Sequence, residues 1–176
     1  MAADKPRLFH VSEEPDIARF EPRPVGAWDS RVSGLAVWAI DDEHLANYLF
    51  PRDCPRVAYA CDAQTAAGDK ARFFGASRAR RIIAIEFHWL ERALSTPLTI
   101  YEMPADSFEL LDAHAGHFVS RRIVVPLGKV LLADPIGALS ERDVELRVVK
   151  DIQGLHDEVV HSTLSFSSTR LRNART

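Results

Sequence analysis

The chain has 176 residues, 47% of them hydrophobic and 27% charged, with a formal net charge of −3. One domain of ordinary size accounts for that length, and such a chain buries enough surface to need no disulfide or metal staple. The small negative charge excludes a general nucleic-acid or membrane-surface binder, and two cysteines, Cys54 and Cys61, are too few for a disulfide scaffold.

Met1 opens onto no apolar leader, and no apolar run nears the roughly 18 residues that span a bilayer. A single cytoplasmic domain without membrane contact is therefore expected, its oligomeric state left open.

Arg7-Leu8-Phe9-His10-Val11 predicts a first strand, stopped at Ser12-Glu13-Glu14-Pro15, where Ser12 caps a short helical turn through Ile17 and Phe20. Residues 21–34 hold Pro22, Pro24, Gly26, Ser30, Ser33 and Gly34 without a period, which predicts a mobile loop. The continuous apolar run 35–40 predicts a buried central strand. Asp41 then caps a helix that carries Leu45, Tyr48 and Leu49 and ends at Pro51.

Residues 56–60 predict another strand, 63–70 a turn region, and 75–81 a loop carrying Arg78, Arg80 and Arg81. The β-branched run 81–86 is the clearest strand of the chain. One or two helical turns follow at 88–94, ended by Pro97, and 98–102 alternates as a half-exposed strand does. Residues 108–120 read as a hairpin, 123–132 as a strand interrupted by Pro126 and Gly128, and a short helix starts near Pro135. A last strand is expected at 144–148. From Asp151, the spacing of Ile152, Leu155, Val159, Thr163 and Phe166 predicts a terminal helix to about Arg172, widened by Val160, Leu164 and Leu171. Strands outnumber good helices, and 98–132 has no room for crossover helices, so a doubly wound βαβ fold is excluded. The expected class is α+β, with mixed, largely antiparallel sheets, short helices and a C-terminal helix.

Dinucleotide-binding, Walker, zinc-protease and nucleophile-elbow signatures are missing from the sequence. Cys54 and Cys61 lack a paired partner motif, His114 and His117 flank a tight turn that reads as a solvated hairpin tip, and His156 and His161 cannot share a helix face. No metal site is assigned. His10, at the end of the first strand, either serves the core or points a ring nitrogen into a cleft beside the Ser12 hydroxyl. Trp38 and Tyr48 stand between the same two roles. Eighteen arginines against four lysines supply planar forks for phosphate or carboxylate, Arg19 and Arg23 nearest to His10. Asp41 and Asp42 read as a cap.

Leu8-Phe9-His10-Val11-Ser12-Glu13-Glu14, Val37-Trp38-Ala39-Ile40-Asp41 and the run from Tyr48 to Val57 resemble a bacterial family of unknown function. So do Val119-Ser120-Arg121, Val124-Val125-Pro126 and Arg170-Leu171-Arg172-Asn173-Ala174. More distantly, a strand ending His-x-Ser, a loop, and an apolar strand with an aromatic are similar to the start of the ADP-ribosyltransferase-like fold. That resemblance implies His10 and Ser12 holding a ribose and Trp38 or Tyr48 stacking on a nicotinamide or base. It also implies a late-strand glutamate that steadies an oxocarbenium-like transition state. No glutamate lies between Leu110 and Ser140, and Ser120-Arg121 is followed by Arg122-Ile123, so Glu109 is the candidate. The expectation is a domain binding a nucleotide, NAD included, or another phosphorylated small molecule through His10, Ser12, Arg19, Trp38, Tyr48 and Arg121. The alternative is a non-enzymatic interaction or structural protein with His10 and Trp38 in its core.

Overall fold

The computed structural model describes residues 5–25 and 32–175. Its first strands are β1 (Leu8–Ser12), β2 (Arg23–Pro24), β3 (Leu35–Asp41), β4 (Arg56–Ala60), β5 (Arg81–Glu86) and β6 (Leu98–Met103). After these come β7 (Glu109–Asp112), β8 (His117–Ser120), β9 (Gly128–Leu132), β10 (Val144–Val149) and β11 (Ser165–Thr169). Four short helices intervene, α1 (Ala67–Phe74), α2 (Leu90–Ser95), α3 (Pro135–Glu141) and α4 (Ile152–Val160). The protein is α+β, its sheets mostly antiparallel. Among the described residues no helix is long and apolar enough to cross a membrane.

The chain divides into two compact units, residues 1–48 with 97–133, and 49–96 with 134–176. The first holds a sheet in the order β7-β8-β3-β1-β6-β9, with β2 paired to β3 off that path. Every pairing in it is antiparallel. On one face Leu8, Val37, Ala39, Tyr101 and Met103 pack with Phe20 and Val124 from the loops. The second unit holds the order β10-β5-β4-β11, and β10 runs parallel to β5. Val57, Tyr59 and Ile82 pack there against Phe73 and Phe74 of α1 and Ile152 and Val159 of α4. A fully buried aliphatic such as Ile82 stabilises the unit by about 1.5–3 kcal/mol.

The strands at 8–12, 35–41, 56–60 and 81–86 stand where β-branched and apolar runs place them. Both late helices begin as the caps require: Asp134 accepts from Gly137 N and Asp151 from Gly154 N, each at 2.8 Å.

Elsewhere tertiary contacts override local pattern. Ser12 does not cap a helix; its Oγ accepts from Glu14 N at 3.1 Å in a simple turn, and the chain runs on through turns to the Phe20–Val124 bridge. Residues 26–31 of the expected mobile loop lie outside the described residues, while Arg23–Pro24 pairs with β3. The helix expected after Asp41 is one 3-10 turn at Leu45–Tyr48. The turn region at 63–70 instead enters α1, whose start is held by Thr163: its Oγ1 accepts from Ala66 N at 2.8 Å and donates to Asp69 Oδ2 at 2.6 Å. Strand β6, expected half-exposed, is buried at Leu98, Thr99, Tyr101 and Met103 because it lies between β1 and β9. Of the strand expected at 123–132, residues 128–132 form β9, and Val124 makes an isolated bridge to Phe20.

The terminal helix is the largest correction. It stops at Val160, where Ser162 Oγ donates to Val159 O at 2.6 Å and Thr163 turns to Asp69. The Ser/Thr-rich 165–169 segment then pairs along β4 as β11, so 144–149 is not the last strand. Hydroxyl side chains that engage nearby backbone favour leaving a helix, and β4 offers an open ladder to join.

Candidate functional site

Strand register decides which candidates meet. Cross-strand partners share a face and neighbours along a strand alternate. His10 lies opposite Tyr101, and Ser12 opposite Thr99. Phe9 lies opposite Ile40, Trp38 opposite Val119, and Glu109 opposite Val119 from the other side. His10 and Ser12 therefore share one face with Tyr101. Trp38, Glu109 and His117, which pairs with Ile40, share the other.

On the first face the His10 Nδ1 stands 2.9 Å from the Trp38 carbonyl oxygen. A carbonyl only accepts, so Nδ1 is the donor in this contact. The half-buried imidazole tilts against Phe20 at 4.7 Å between centroids, and Phe20 meets Tyr101 edge-on at 5.2 Å. The Tyr101 hydroxyl donates to Glu14 O at 2.6 Å and accepts from Ile17 N at 3.0 Å, folding the 13–20 segment over this face.

On the second face the Trp38 ring meets His117 edge-on at 5.7 Å, and His117 Nε2 lies 2.6 Å from the Tyr48 hydroxyl. Just beyond, Asp41 Oδ1 accepts from both His44 N and His44 Nδ1, at 2.9 and 2.8 Å. Asp41 N in turn donates to Gly116 O at 3.0 Å. The hairpin tip is an Asx turn, in which Asp112 Oδ1 accepts from His114 N and Ala115 N at 2.9 and 3.1 Å. His117 is thus no solvated tip residue: it is half-buried and joined to both Trp38 and Tyr48.

The arginines stand apart. Arg19 is exposed and pairs with Glu21 at 2.7 Å. Arg121 Nη1 donates to the carbonyls of Ser33 and Leu35, pinning the start of β3. Glu109 is exposed at the start of β7.

This chain belongs to a family of unknown function, DUF6886. The family match runs over residues 9–174 and so includes every candidate named above. No curated protein and no solved structure matches the chain.

Within this DUF6886 chain two shallow hollows are lined by none of the candidates. One of about 330 Å³ lies among Ile17, Tyr101, Pro126, Gly128 and Lys129. Another of about 230 Å³ lies among Arg78, Ser140, Asp143 and Glu145. Among the described residues no group of three His, Cys, Asp or Glu could hold a metal ion. Both cysteines are free; Cys54 is sealed from solvent, and burial pushes its thiol up to about 11.

The sequence reading took His117 for a solvated tip residue and did not single out Tyr101. Alternation along 98–102 sets Tyr101 on one face, but only the strand pairing shows which side chains either residue meets.

Proposed function

We propose that this chain is a ligand-binding domain that takes a nucleotide or another phosphorylated small molecule on the His10–Ser12 face. The reading follows the resemblance to ADP-ribosyltransferase-like domains as far as binding. The observation that carries it is the clamp on His10: the Trp38 carbonyl holds Nδ1, Phe20 packs against the ring, and the Ser12 side chain leaves the same face. An imidazole held in a fixed plane is a positioned hydrogen-bonding group for a ribose hydroxyl, and the serine adds a hydroxyl on the same face. Glu109 and the aromatic pair Trp38 and Tyr48 stand on the opposite face, so the reading includes no glutamate-assisted transfer at His10. Two free thiols support a cytoplasmic setting.

Thermal-shift titration with NAD, ADP-ribose and nucleoside phosphates tests this. Ligand that binds only the folded state raises the melting temperature, and the rise is expected for wild type and absent in His10→Ala. A flat response to all of them by folded protein overturns the reading.

A second reading, a non-enzymatic structural or interaction protein, is favoured by the Phe20 contact itself, since a ring against a buried phenylalanine also serves packing. It expects His10→Ala to lower stability and leave binding unchanged.

A further inference from the structure

Strand β9 closes one edge of the first unit's sheet, and among the described residues β6 is the strand it pairs with. Two of its side chains are apolar and bare, one on each face: Val130 is 67% exposed and Leu131 60%. In the lead-in Ile123, Val125 and Leu127 are exposed as well, at 57, 64 and 69%. Proteins ordinarily blunt a sheet edge with charge, proline or a bulge. The opposite edge, β7, does so with a register shift between Leu110 and Asp112. Within β9 the one charge is Lys129, and its ammonium is engaged at 2.6 Å with both Asp16 Oδ1 and Pro15 O. Nothing on this strand repels a neighbour.

We propose that β9 pairs antiparallel with β9 of a second copy of this chain, about a two-fold axis at Val130. The occupant follows from the register. An axis through Val130 sets Val130 against its own copy, Leu131 of the copy opposite Lys129, and Leu132 of the copy opposite Gly128. Leu131 and Lys129 share a face, because they pair with Thr99 and Tyr101. The hollow of about 330 Å³ is lined by Lys129, Gly128, Pro126, Tyr101 and Ile17, so the exposed leucine of the copy arrives beside a ready receptacle. Gly128 has open space where a Cβ would stand, with no atom within 4 Å, which leaves room for the copy's Leu132. Two-fold symmetry makes both fits reciprocal, as an isologous interface requires.

The pairing edge is one strand of five residues, and interfaces that bury little surface belong to transient encounters. The dimer is therefore reversible and concentration-dependent. It rests on none of the His10 contacts.

Sedimentation velocity over a concentration series tests it on the full chain. Wild type is expected to shift from monomer to dimer, and Val130→Lys to stay monomeric with an unchanged melting temperature, since the side chain is exposed. Phe87→Lys, at a 72% exposed site elsewhere, is expected to dimerise as wild type does. A second variant reports without relying on loss: in the Cys61→Ser background, Val130→Cys should form a disulfide-linked dimer under mild oxidation, and Leu110→Cys on β7 should not. A wild type that stays monomeric throughout, a dimer untouched by Val130→Lys, or failure of Val130→Cys to cross-link overturns the proposal.

Discussion

The imidazole of His10 and the indole of Trp38 leave adjacent strands on opposite faces of one sheet, although the His10 Nδ1 stands only 2.9 Å from the Trp38 carbonyl oxygen. The two residues are linked through backbone, not through their side chains. Substitution should therefore separate them. His10→Ala removes the hydrogen bond to the Trp38 carbonyl and the Phe20 contact, expected to cost about 1–2 kcal/mol, and abolishes any ligand-induced thermal shift. Trp38→Phe keeps the carbonyl that holds His10, so it should lower stability by a similar amount through His117 while the ligand response persists. Urea unfolding and thermal shift on both variants check this; equal loss of ligand response in the two would contradict the division of faces.

Gly116 is the point where the β7–β8 hairpin lies on the end of β3. Its φ is +66°, a conformation that costs an ordinary L-residue roughly 1–2 kcal/mol. A Cβ there would also stand 2.6 Å from Asp41 Oδ1 and press on the His44 ring. Gly116→Ala is expected to cost more than the backbone strain alone, since Asp41 is held by His44 and cannot yield freely. A melting temperature within a degree of wild type would show that this contact is not tight.

How far the sequence carried is visible in single residues. The strand Arg81–Glu86 was legible because β-branched residues in an unbroken run suit a pleated, buried position and little else. Strand pairing was not. Whether His10 shares a face with Trp38 depends on which residue of β3 stands opposite Phe9, and one step of register reverses the answer. The last helix failed for a related reason: Thr163 and Phe166 fall at helical spacing from Val159, yet Thr163 is held by Asp69, ninety-four positions away in the chain. The resemblance identified the family, and the candidate residues followed its motifs without indicating that they stand on two faces.

Cys54 has no exposed surface, and burial pushes its thiol from an ordinary value of 9.0 up to about 11. Reaction requires thiolate, so Cys54 should resist a disulfide reagent at neutral pH while half-buried Cys61 reacts. One thiol per chain is expected in native buffer and two in denaturant. The sign of the pH effect follows as well. A raised value in the folded state favours folding below pH 9, and that contribution fades as pH rises towards 11. Its size is on the order of 2–3 kcal/mol. Cys54→Ala should accordingly lose less stability than wild type between those limits.

Asp69 gives the opposite limb. The hydroxyl and backbone N–H of Thr163 donate to its carboxylate at 2.6 and 2.8 Å, and they hold its pKa below the ordinary carboxylate value of 3.8. A depressed value means the folded state keeps the proton off longer than the unfolded chain does. The contribution is therefore whole above about pH 4 and is lost as acid protonates Asp69 in the folded state. Because Asp69 ties the start of α1 to the segment entering β11, its loss should loosen both together. Asp69→Asn is expected to be less stable than wild type at pH 7, with the gap closing as pH falls below about 4. Thr163→Val removes the hydroxyl donor and the acceptor for Ala66 N, so it should also narrow the acid dependence while lowering stability at every pH. Thermal melts of the three proteins from neutral to strongly acid pH test this, and parallel curves for wild type and Asp69→Asn would show that the Thr163 contacts do not bias the carboxylate.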